Sequence, residues 1–448
     1  MFGKSFYRKA TEETTSSVSE TLGGMLGTAI AGPIGLFAGT LIGRIFASQI
    51  IDYAKIKAEQ LAQTSISSSE IKRLRRRADL EDAVAMNDLA IRYLGGAGVS
   101  RDFEEAVRWF QRAAEAGNVE AMCNLGNRYY KGTGIPLDLN KAVYWYRCAA
   151  ETGYIEAMGN LAYCYDNGEG IAQDSVEAVK WYRRAAEAGN GMAMCNLGVC
   201  YANGDGVKKD FIEAVYWFRR AADIGFIGAM CNLGGFYGIS QNFTEAARWW
   251  RRAAEAGDVE AMFNLGTCYD NGIGVAQDYD KAVSWYRRAA EKGEVGAMCN
   301  LGVCYADGTG VAQNMAEAGY WLRRAAEAGD VEAMFNLGLC YKRGFEGTPD
   351  LSGAMVWFRC AAEAGNPQAM YNLALCYVNG GEETPNYNEA IIWCRRAAEA
   401  GVAQAMFTLG CSYADGLGVE QDFSAAVCWW RRAAEAGDED AVHILARK

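Results

Sequence analysis

The stretch AMFNLGTCYDNGIGVAQDYDKAVSWYRRAAEKG (261–293) recurs with small changes along most of the 448-residue chain. Its copies begin at Ala85, Ala121, Ala157, Ala193, Ala229, Ala261, Ala297, Ala333, Ala369 and Ala405. The period is 36 residues, except in the copy over 229–260, which has 32. Self-similarity at a fixed period of this size predicts an array of helical units, each of which buries its apolar face against the next.

Each copy is expected to form two helices. Ala, Leu and Tyr at copy positions 1, 5 and 9 share one face of the first helix. A turn written G-x-G-V follows, as at 272–275, and the second helix opens with Asp or Asn and ends in RRAAEAG, whose glycine is a helix stop. The sequence therefore predicts an all-α fold: a right-handed α/α solenoid of about ten 36-residue helix-turn-helix repeats, preceded by a glycine-rich helical segment.

The complete pattern resembles a known family. A-x-x-N-L-G-x-x-Y, G-x-G-V, A-x-x-W and R-R-A-A-E-x-G follow one another over 85–440 in ten copies of one pattern, as in the Sel-one-like repeat, a relative of the tetratricopeptide repeat. The copies at Ala229, Ala333 and Ala369 depart from it at the turn. The resemblance implies an α/α solenoid with a concave groove. It also implies an adaptor that holds protein partners rather than an enzyme.

The regions outside the array differ in composition. We expect a polar leader over 1–20, a glycine-zipper helical segment or hairpin over 21–53, and a linker with an N-terminal capping helix over 54–84. The ten repeats follow over 85–440, and 441–448 begin an eleventh unit that serves as a partial C-terminal cap. The capping helix is predicted because RRRADLEDAVAM (75–86) aligns with RRAAEAGDVEAM (251–262).

Composition excludes several function classes. A net charge of −11 argues against a general nucleic-acid binder. The single histidine, His443, stands near the C-terminus, and no CxxC occurs among the fifteen cysteines. Without a base beside a nucleophile or a cluster of metal ligands, we expect no enzymatic activity, no cofactor and no metal site.

Copy position 4 is a candidate partner-binding position, because it is asparagine in eight copies. These residues are Asn124, Asn160, Asn196, Asn232, Asn264, Asn300, Asn336 and Asn372. A ladder of amides could hold the backbone of an extended peptide. The alternative is that each amide satisfies polar groups of a neighbouring turn or repeat.

Copy position 3 varies, and its aromatic residues cluster in the C-terminal half. They are Phe263, Phe335, Tyr371 and Phe407. Either this position packs differently from repeat to repeat, or these rings line a segment of the groove. If they line the groove, a protein partner is expected over 261–411.

The N-terminal segment carries small residues at every fourth position: Gly23, Gly27, Ala31, Gly35, Gly39, Gly43 and Ala47. This small-xxx-small spacing is typical of closely packed helices in membranes. Residues 21–43 are uncharged and would span about 34 Å as a helix, enough for one bilayer crossing. Membrane association, a self-associating zipper in water, and a cleaved signal are the alternatives.

These patterns lead to two hypotheses. The first is a protein-binding scaffold on the cytoplasmic side, attached through 21–47 to a membrane or to copies of itself as a homo-oligomer. The second is a membrane-active effector of a toxin or defence type, whose repeats recognise a partner.

Overall fold

The computed structural model describes residues 52–62, 67–344, 348–379 and 385–446. Within these ranges the regular secondary structure is helical. The helices fall into two compact units that divide between Ala256 and Gly257, here called the N-unit and the C-unit. The glycine-rich stretch 21–47 lies outside the described residues.

The described part of the N-unit consists of α1 to α12. In chain order they are Tyr53–Ala62, Ser68–Asp79, Ala83–Gly95, Phe103–Glu115, Val119–Lys131, Leu139–Glu151, Ile155–Asn167, Ser175–Glu187, Gly191–Asn203, Phe211–Asp223, Ile227–Ile239 and Phe243–Glu255. From α3 onward these helices alternate between first and second helices of a repeat. Helix α1 forms within the stretch predicted as linker and capping segment.

The described part of the C-unit consists of α13 to α23. They are Val259–Asn271, Tyr279–Glu291, Val295–Asp307, Met315–Glu327, Val331–Arg343, Leu351–Glu363, Pro367–Asn379, Tyr387–Glu399, Ala403–Asp415, Phe423–Glu435 and Glu439–Ala446. In both units, each first helix packs on its own second helix, which then packs on the next first helix. The predicted all-α solenoid of helix pairs is confirmed.

Glycine at copy position 6 brings the two helices of a repeat close together. A Cβ at Gly266 would lie 2.7 Å from the ring of Tyr286, and one at Gly338 would lie 2.6 Å from the ring of Phe358. Both rings are fully buried. The close approach lets one large side chain fill the space between the helices, where packing is dense.

The helix ends follow the sequence signals. Asp174 accepts a hydrogen bond from the Glu177 amide (2.9 Å), and Asn314 accepts one from the Glu317 amide (3.1 Å). Each second helix is thus capped by its opening Asp or Asn. Gly293 follows α14 with φ of 96°, a left-handed conformation that favours glycine.

Arginine and tyrosine connect successive repeats. In several repeats the arginine at copy position 27, the first of the RR pair where a pair is present, donates to the hydroxyl of the position-9 tyrosine of the next repeat. Examples are Arg147 to Tyr165 (3.0 Å), Arg219 to Tyr237 (2.7 Å) and Arg287 to Tyr305 (2.9 Å). The second arginine lies over the position-25 tryptophan, as Arg288 lies 4.1 Å from the centre of the Trp285 ring. The Arg–Tyr bonds therefore link successive repeats, whereas the Arg–Trp contact lies within one helix.

The 32-residue repeat keeps its helix pair. Helices α11 and α12 pack together as in other repeats, although the G-x-G-V turn is missing. Ser240 to Asn242 make the connection instead, with Gln241 in a left-handed conformation at φ of 59°. The shorter loop changes one rim of the N-unit without changing the packing of the pair.

Candidate protein-interaction surface

Successive first helices form one continuous series within each unit, here called the first-helix face. On this face, the position-4 amide of one repeat meets the position-3 side chain of the preceding repeat. Asn124 Nδ2 donates to Asn87 Oδ1 (3.1 Å), and Asn232 Nδ2 lies 3.3 Å from Cys195 Sγ. The residues of each contact are 37 positions apart in the chain, one repeat plus one residue.

The asparagines of position 4 lie mostly inside the stack. Asn124, Asn160, Asn196, Asn232, Asn264 and Asn336 are buried, and Asn300 and Asn372 are half-buried. Asn196 donates to the Tyr182 hydroxyl (3.1 Å), and Asn160 donates to Asn127 (3.3 Å). Buried amides bonded to neighbouring helices cannot hold a peptide backbone. This placement favours the alternative interpretation, in which the amides satisfy neighbouring groups, over the peptide-binding ladder.

The aromatic residues of position 3 keep part of their surface. Phe263, Phe335 and Tyr371 are half-buried, whereas Phe407 is buried. The Phe335 ring lies 6.0 Å from the Phe358 ring, and the Phe263 ring lies 6.1 Å from the Tyr286 ring. Tyr371 shares a hydrogen bond with Thr408 (3.2 Å). The three half-buried rings contact the core on one side, so packing and a groove surface are compatible roles.

Carboxylates lie near these rings, at the beginnings of the first helices of the C-unit. Partial burial raises the pKa of Glu294, and the nearby Asp330 carboxylate raises it further. The pKa of Glu332 is raised by burial and by Asp330. Among the described residues, no Lys or Arg forms a salt bridge with either glutamate. Glu294 caps α15 by accepting a hydrogen bond from the Ala297 amide, and Glu332 accepts one from Asn366 Nδ2 (3.3 Å). This part of the face therefore carries negative charge that is partly desolvated and has no cationic partner among the described residues.

A ring and a carboxylate adjoin each other at Gly296. A Cβ at this position would meet Phe263 Cζ at 3.2 Å and Glu294 Oε2 at 3.3 Å. The absence of a side chain on Gly296 leaves the ring edge and the carboxylate next to each other. This arrangement suits a cationic side chain, whose stem packs on the ring while its charge reaches the carboxylate.

The first-helix face of the N-unit carries helix α1. Asp52, just before α1, accepts a hydrogen bond from the Lys55 amide (3.1 Å) with Oδ1 and bonds Arg128 Nη2 with Oδ2. Lys131 Nζ lies 3.6 Å from Oδ2 of the same carboxylate. The Arg128 side chain is 2% exposed and that of Asp52 3% exposed, so this is a buried ion pair between α1 and α5.

Small residues and a lysine complete the contacts of α1. Ala54 and Ala58 are buried, and a Cβ at Gly95 of α3 would lie 2.5 Å from the Ala58 carbonyl oxygen. Lys57 Nζ lies 3.4 Å from Glu120 Oε1 and 3.7 Å from Asp88 Oδ1. Helix α1 therefore contacts the first helices of the first two repeats through small residues and ion pairs.

Sequence reasoning missed this contact, although copy position 8 carried a signal for it. Position 8 is arginine in the first two repeats, as Arg92 and Arg128, and Cys, Phe or Ser in the other eight. A buried arginine requires an acidic partner. The repeat supplies no acid for Arg128, and Asp52 lies 76 residues away in the chain.

The described residues offer little for catalysis or metal binding. They contain no group of three or more His, Cys, Asp or Glu that could hold a metal ion. All fifteen cysteines are free thiols, and burial raises the pKa of Cys268 to about 12. Thiols of such high pKa are poor nucleophiles.

The glycine-zipper residues Gly23, Gly27, Ala31, Gly35, Gly39, Gly43 and Ala47 lie outside the described residues. Their predicted membrane or oligomer contact stays a prediction. Among the helices of the described ranges, none has the length and apolar character to cross a membrane.

Comparison with known proteins supports the repeat assignment. The Sel1 repeat model matches ten consecutive segments: 83–118, 119–154, 155–190, 191–226, 227–258, 259–294, 295–330, 331–366, 367–402 and 403–438. No curated protein sequence matches the chain significantly.

Two solved structures are similar to this chain in sequence. One is c5321, a protective antigen of uropathogenic Escherichia coli with an SLR fold; it is 34% identical over 83% of this chain and 88% of its own, with a TM-score of 0.46. The other is a Sel1 repeat protein from Oxalobacter formigenes, 26% identical over 90% of this chain and 95% of its own, with a TM-score of 0.36. On the evidence of its ten matched repeats, the chain belongs to the Sel1 repeat family.

Proposed function

We propose that this protein is a non-enzymatic scaffold that binds a partner protein on the first-helix face of the C-unit, over 261–411. The observation that carries the proposal is the adjoining Phe263 ring and Glu294 carboxylate, the latter with a raised pKa and no basic partner among the described residues. A lysine or arginine of a partner would add an ion pair to this helix-capping carboxylate and pack on the ring. The partner we expect is therefore a basic protein segment.

The proposal accounts for the irregular pattern of the repeats. Positions that hold the stack together, such as the Arg287–Tyr305 contact, recur in both units. Position 3 departs from this regularity and is aromatic in four of the last five repeats. Variable residues on a rigid repeat are where a scaffold gains specificity, because they change the surface without changing the stack.

Charge variants of the full chain test the proposal. Glu294→Gln with Glu332→Gln removes two charges from the first-helix face. Glu291→Gln with Glu327→Gln removes two charges from exposed positions on the second helices of the same unit and is the matched control. Proteins captured from source cells are quantified by mass spectrometry. We expect a set of partner proteins that the wild type and the control variant capture in equal amounts. The Glu294→Gln, Glu332→Gln variant should capture at least tenfold less of them.

The result that would contradict the proposal is equal capture of every protein by all three chains. Raising the salt concentration gives a further check. Because the expected contact is between exposed or half-exposed charges, capture should weaken as salt increases.

We also propose that residues 21–47 attach the scaffold, on the cytoplasmic side, to a membrane or to copies of itself. The small residues at every fourth position support this part of the proposal. Liposome flotation with size-exclusion light scattering tests it on the full chain and on a Gly35→Leu, Gly39→Leu variant. Loss of flotation in the variant supports membrane attachment, and loss of oligomers supports self-association. A wild-type chain that neither floats nor oligomerises overturns both.

A further inference from the structure

The contacts of α1 have the character of a bound ligand rather than of a repeat helix. In the repeats, the two helices of a pair meet through a buried large side chain, as Gly266 and Tyr286 do. Helix α1 instead offers Ala54 and Ala58, while Tyr53 and Ile56 are 42% and 45% exposed. Together with half-buried Leu61 they bury less apolar area than the large side chains between the helices of a repeat, and the ion pairs fix where α1 lies on the surface.

The charges on the two partners are complementary along the contact. Arg128 and Lys131 form ion pairs with the Asp52 carboxylate at one end of α1. Asp88 and Glu120 receive the Lys57 ammonium group one and a half helical turns later. The surface thus recognises a helix that carries, in order, a carboxylate at its N-cap, a small residue, a lysine and another small residue.

The surface also requires an occupant with a carboxylate. The Arg128 guanidinium is almost fully buried, and burial lowers its pKa to about 10. If α1 left without replacement, this charge would lose its counter-ion in a poorly solvated site, which is costly. Exchange for a second helix that carries the same carboxylate avoids this cost.

The contact leaves additional space beyond the start of α1. A cavity of about 360 Å³ adjoins Tyr53. Its lining includes the apolar residues Ile155, Met192, Ile224 and Phe226, the polar residues Glu156 and Asn190, and Gly191. Gly191 occupies a position that is Val or Ile in most other repeats, so the missing side chain helps to form the cavity. A partner helix with an apolar side chain ahead of its carboxylate would enter this space.

We propose that the first-helix face of the first four repeats is a docking surface for a partner helix with this acid–small–lysine–small pattern, and that α1 is its exchangeable internal occupant. The inference rests on the proposed scaffold function. It assigns the N-unit a second, differently charged partner site, and binding there displaces α1 from the surface.

A peptide added in trans tests the exchange. The probe is a fluorescent, N-acetylated and C-amidated peptide with the sequence of residues 52–62. It is titrated into the full wild-type chain and into the full chain with Asp52→Asn and Ala58→Glu. These two changes remove the α1 carboxylate and place a charged side chain where Ala58 is 1% exposed, and they leave the receiving surface unchanged.

We expect the variant chain to bind the peptide at least tenfold more tightly than the wild type does. The tethered α1 of the wild type competes at an effective concentration on the order of millimolar. A peptide with Asn in place of Asp52 should lose at least tenfold in affinity. Glu120→Lys in the variant chain should weaken binding of the original peptide and favour a peptide with Glu in place of Lys57.

Three results would overturn the inference. The variant chain folds but does not bind the peptide, it binds the Asp and Asn peptides equally, or it loses its folded structure because α1 is a permanent part of the core. Hydrogen exchange on the unaltered wild-type chain tests independently whether the peptide displaces α1. Peptide at about 1 mM should speed exchange of α1 amides and leave α5 amides unchanged, and unchanged α1 exchange contradicts displacement. Failure of the peptide-exchange test would not affect the test of the C-unit, because the glutamate variants of the C-unit change different residues.

Discussion

The N-unit and the C-unit are built from the same repeat, but the carboxylates on their first-helix faces differ in whether they form salt bridges. In the N-unit, Lys57 of α1 lies 3.4 Å from Glu120 and neutralises it. In the C-unit, Glu294 and Glu332 have raised pKa values and no salt bridge within the described ranges. Because the stacking contacts are alike, a few variable positions account for the difference in charge between the two faces.

The largest expected effect comes from breaking the buried ion pair of the N-unit. Asp52→Asn leaves Arg128 without its counter-ion and should weaken α1 docking by about 3–5 kcal/mol. Hydrogen exchange of the α1 amides measures this loss. The double variant Asp52→Asn, Arg128→Met should keep the wild-type unfolding midpoint, because it leaves no uncompensated charge.

The matched control for this change lies in the C-unit. Asp278 caps α14 and pairs with Lys281 at 2.7 Å, with side-chain exposures of 31% and 59%. Asp278→Asn keeps a good N-cap and should change the free energy of unfolding by less than about 0.5 kcal/mol. Equal effects of the two Asp→Asn changes would contradict the distinction between the units.

The second effect comes from giving the C-unit the position-3 residue of the N-unit. Phe335→Cys removes the ring contact with Phe358 and should lower the free energy of unfolding by about 1–2 kcal/mol, less than a fully buried phenylalanine. It should also reduce partner capture. Denaturant unfolding measures the loss in the free energy of unfolding. Val356→Ser is the control and is expected to be near neutral, because Val356 is 59% exposed. Unchanged partner capture would remove Phe335 from the proposed surface.

A smaller effect is expected from reversing the charge of Lys57. Lys57→Glu turns its attraction to Asp88 and Glu120 into repulsion and should weaken α1 docking by about 0.5–1 kcal/mol, since these side chains are exposed. Hydrogen exchange of α1 at low and high salt measures it. The effect should shrink as salt increases, and an effect independent of salt would mean that charge is not its cause.

The smallest effect concerns the pH dependence of the C-unit. Because the pKa values of Glu294 and Glu332 are raised in the folded protein, they favour folding below the ordinary glutamate value of 4.5. This contribution is lost as pH rises through the folded pKa. The Glu294→Gln, Glu332→Gln variant should therefore be more stable than wild type at pH 7 by a few tenths of a kcal/mol, discounted for partial exposure. Thermal unfolding from pH 4 to 7 checks this, and a less stable variant at pH 7 would contradict it.

The repeat was predictable from the sequence because its contacts are short in range and occur in every copy. Tyr at position 9 meets an arginine 18 residues earlier, as Tyr165 meets Arg147. Helix caps act within three residues, as Asp174 and Glu177 show. Such signals recur ten times and reinforce one another, so the all-α solenoid follows from them.

The role of the position-4 asparagines was harder to predict. Their burial depends on the position-3 residue of the preceding repeat, which varies. Asn336 lies 3.9 Å from Cys299, whereas Asn372, which follows Phe335, donates to the Gln368 carbonyl within its own helix (3.0 Å). A pattern read one copy at a time cannot distinguish a buried amide from a groove amide.

The α1 contact could not be predicted from the repeat at all. Arg128 indicated that something acidic was needed, but Asp52 lies outside the array and belongs to no periodic pattern. The glycine pattern of 21–47 lies outside the described residues, and its role stays a prediction. The residues that reach the repeats in the described structure are Asp52, Ala54, Lys57 and Ala58.

The most direct test of the account places a photo-crosslinking phenylalanine analogue in the full chain in its source cells. It is introduced either at Phe335, on the first-helix face of the C-unit, or at Tyr320, 54% exposed on a second helix of the same unit. We expect discrete protein adducts from position 335 that are absent from position 320. These adducts should disappear in the Glu294→Gln, Glu332→Gln variant. Adducts from position 320 alone, or none from position 335, would contradict a partner on the first-helix face.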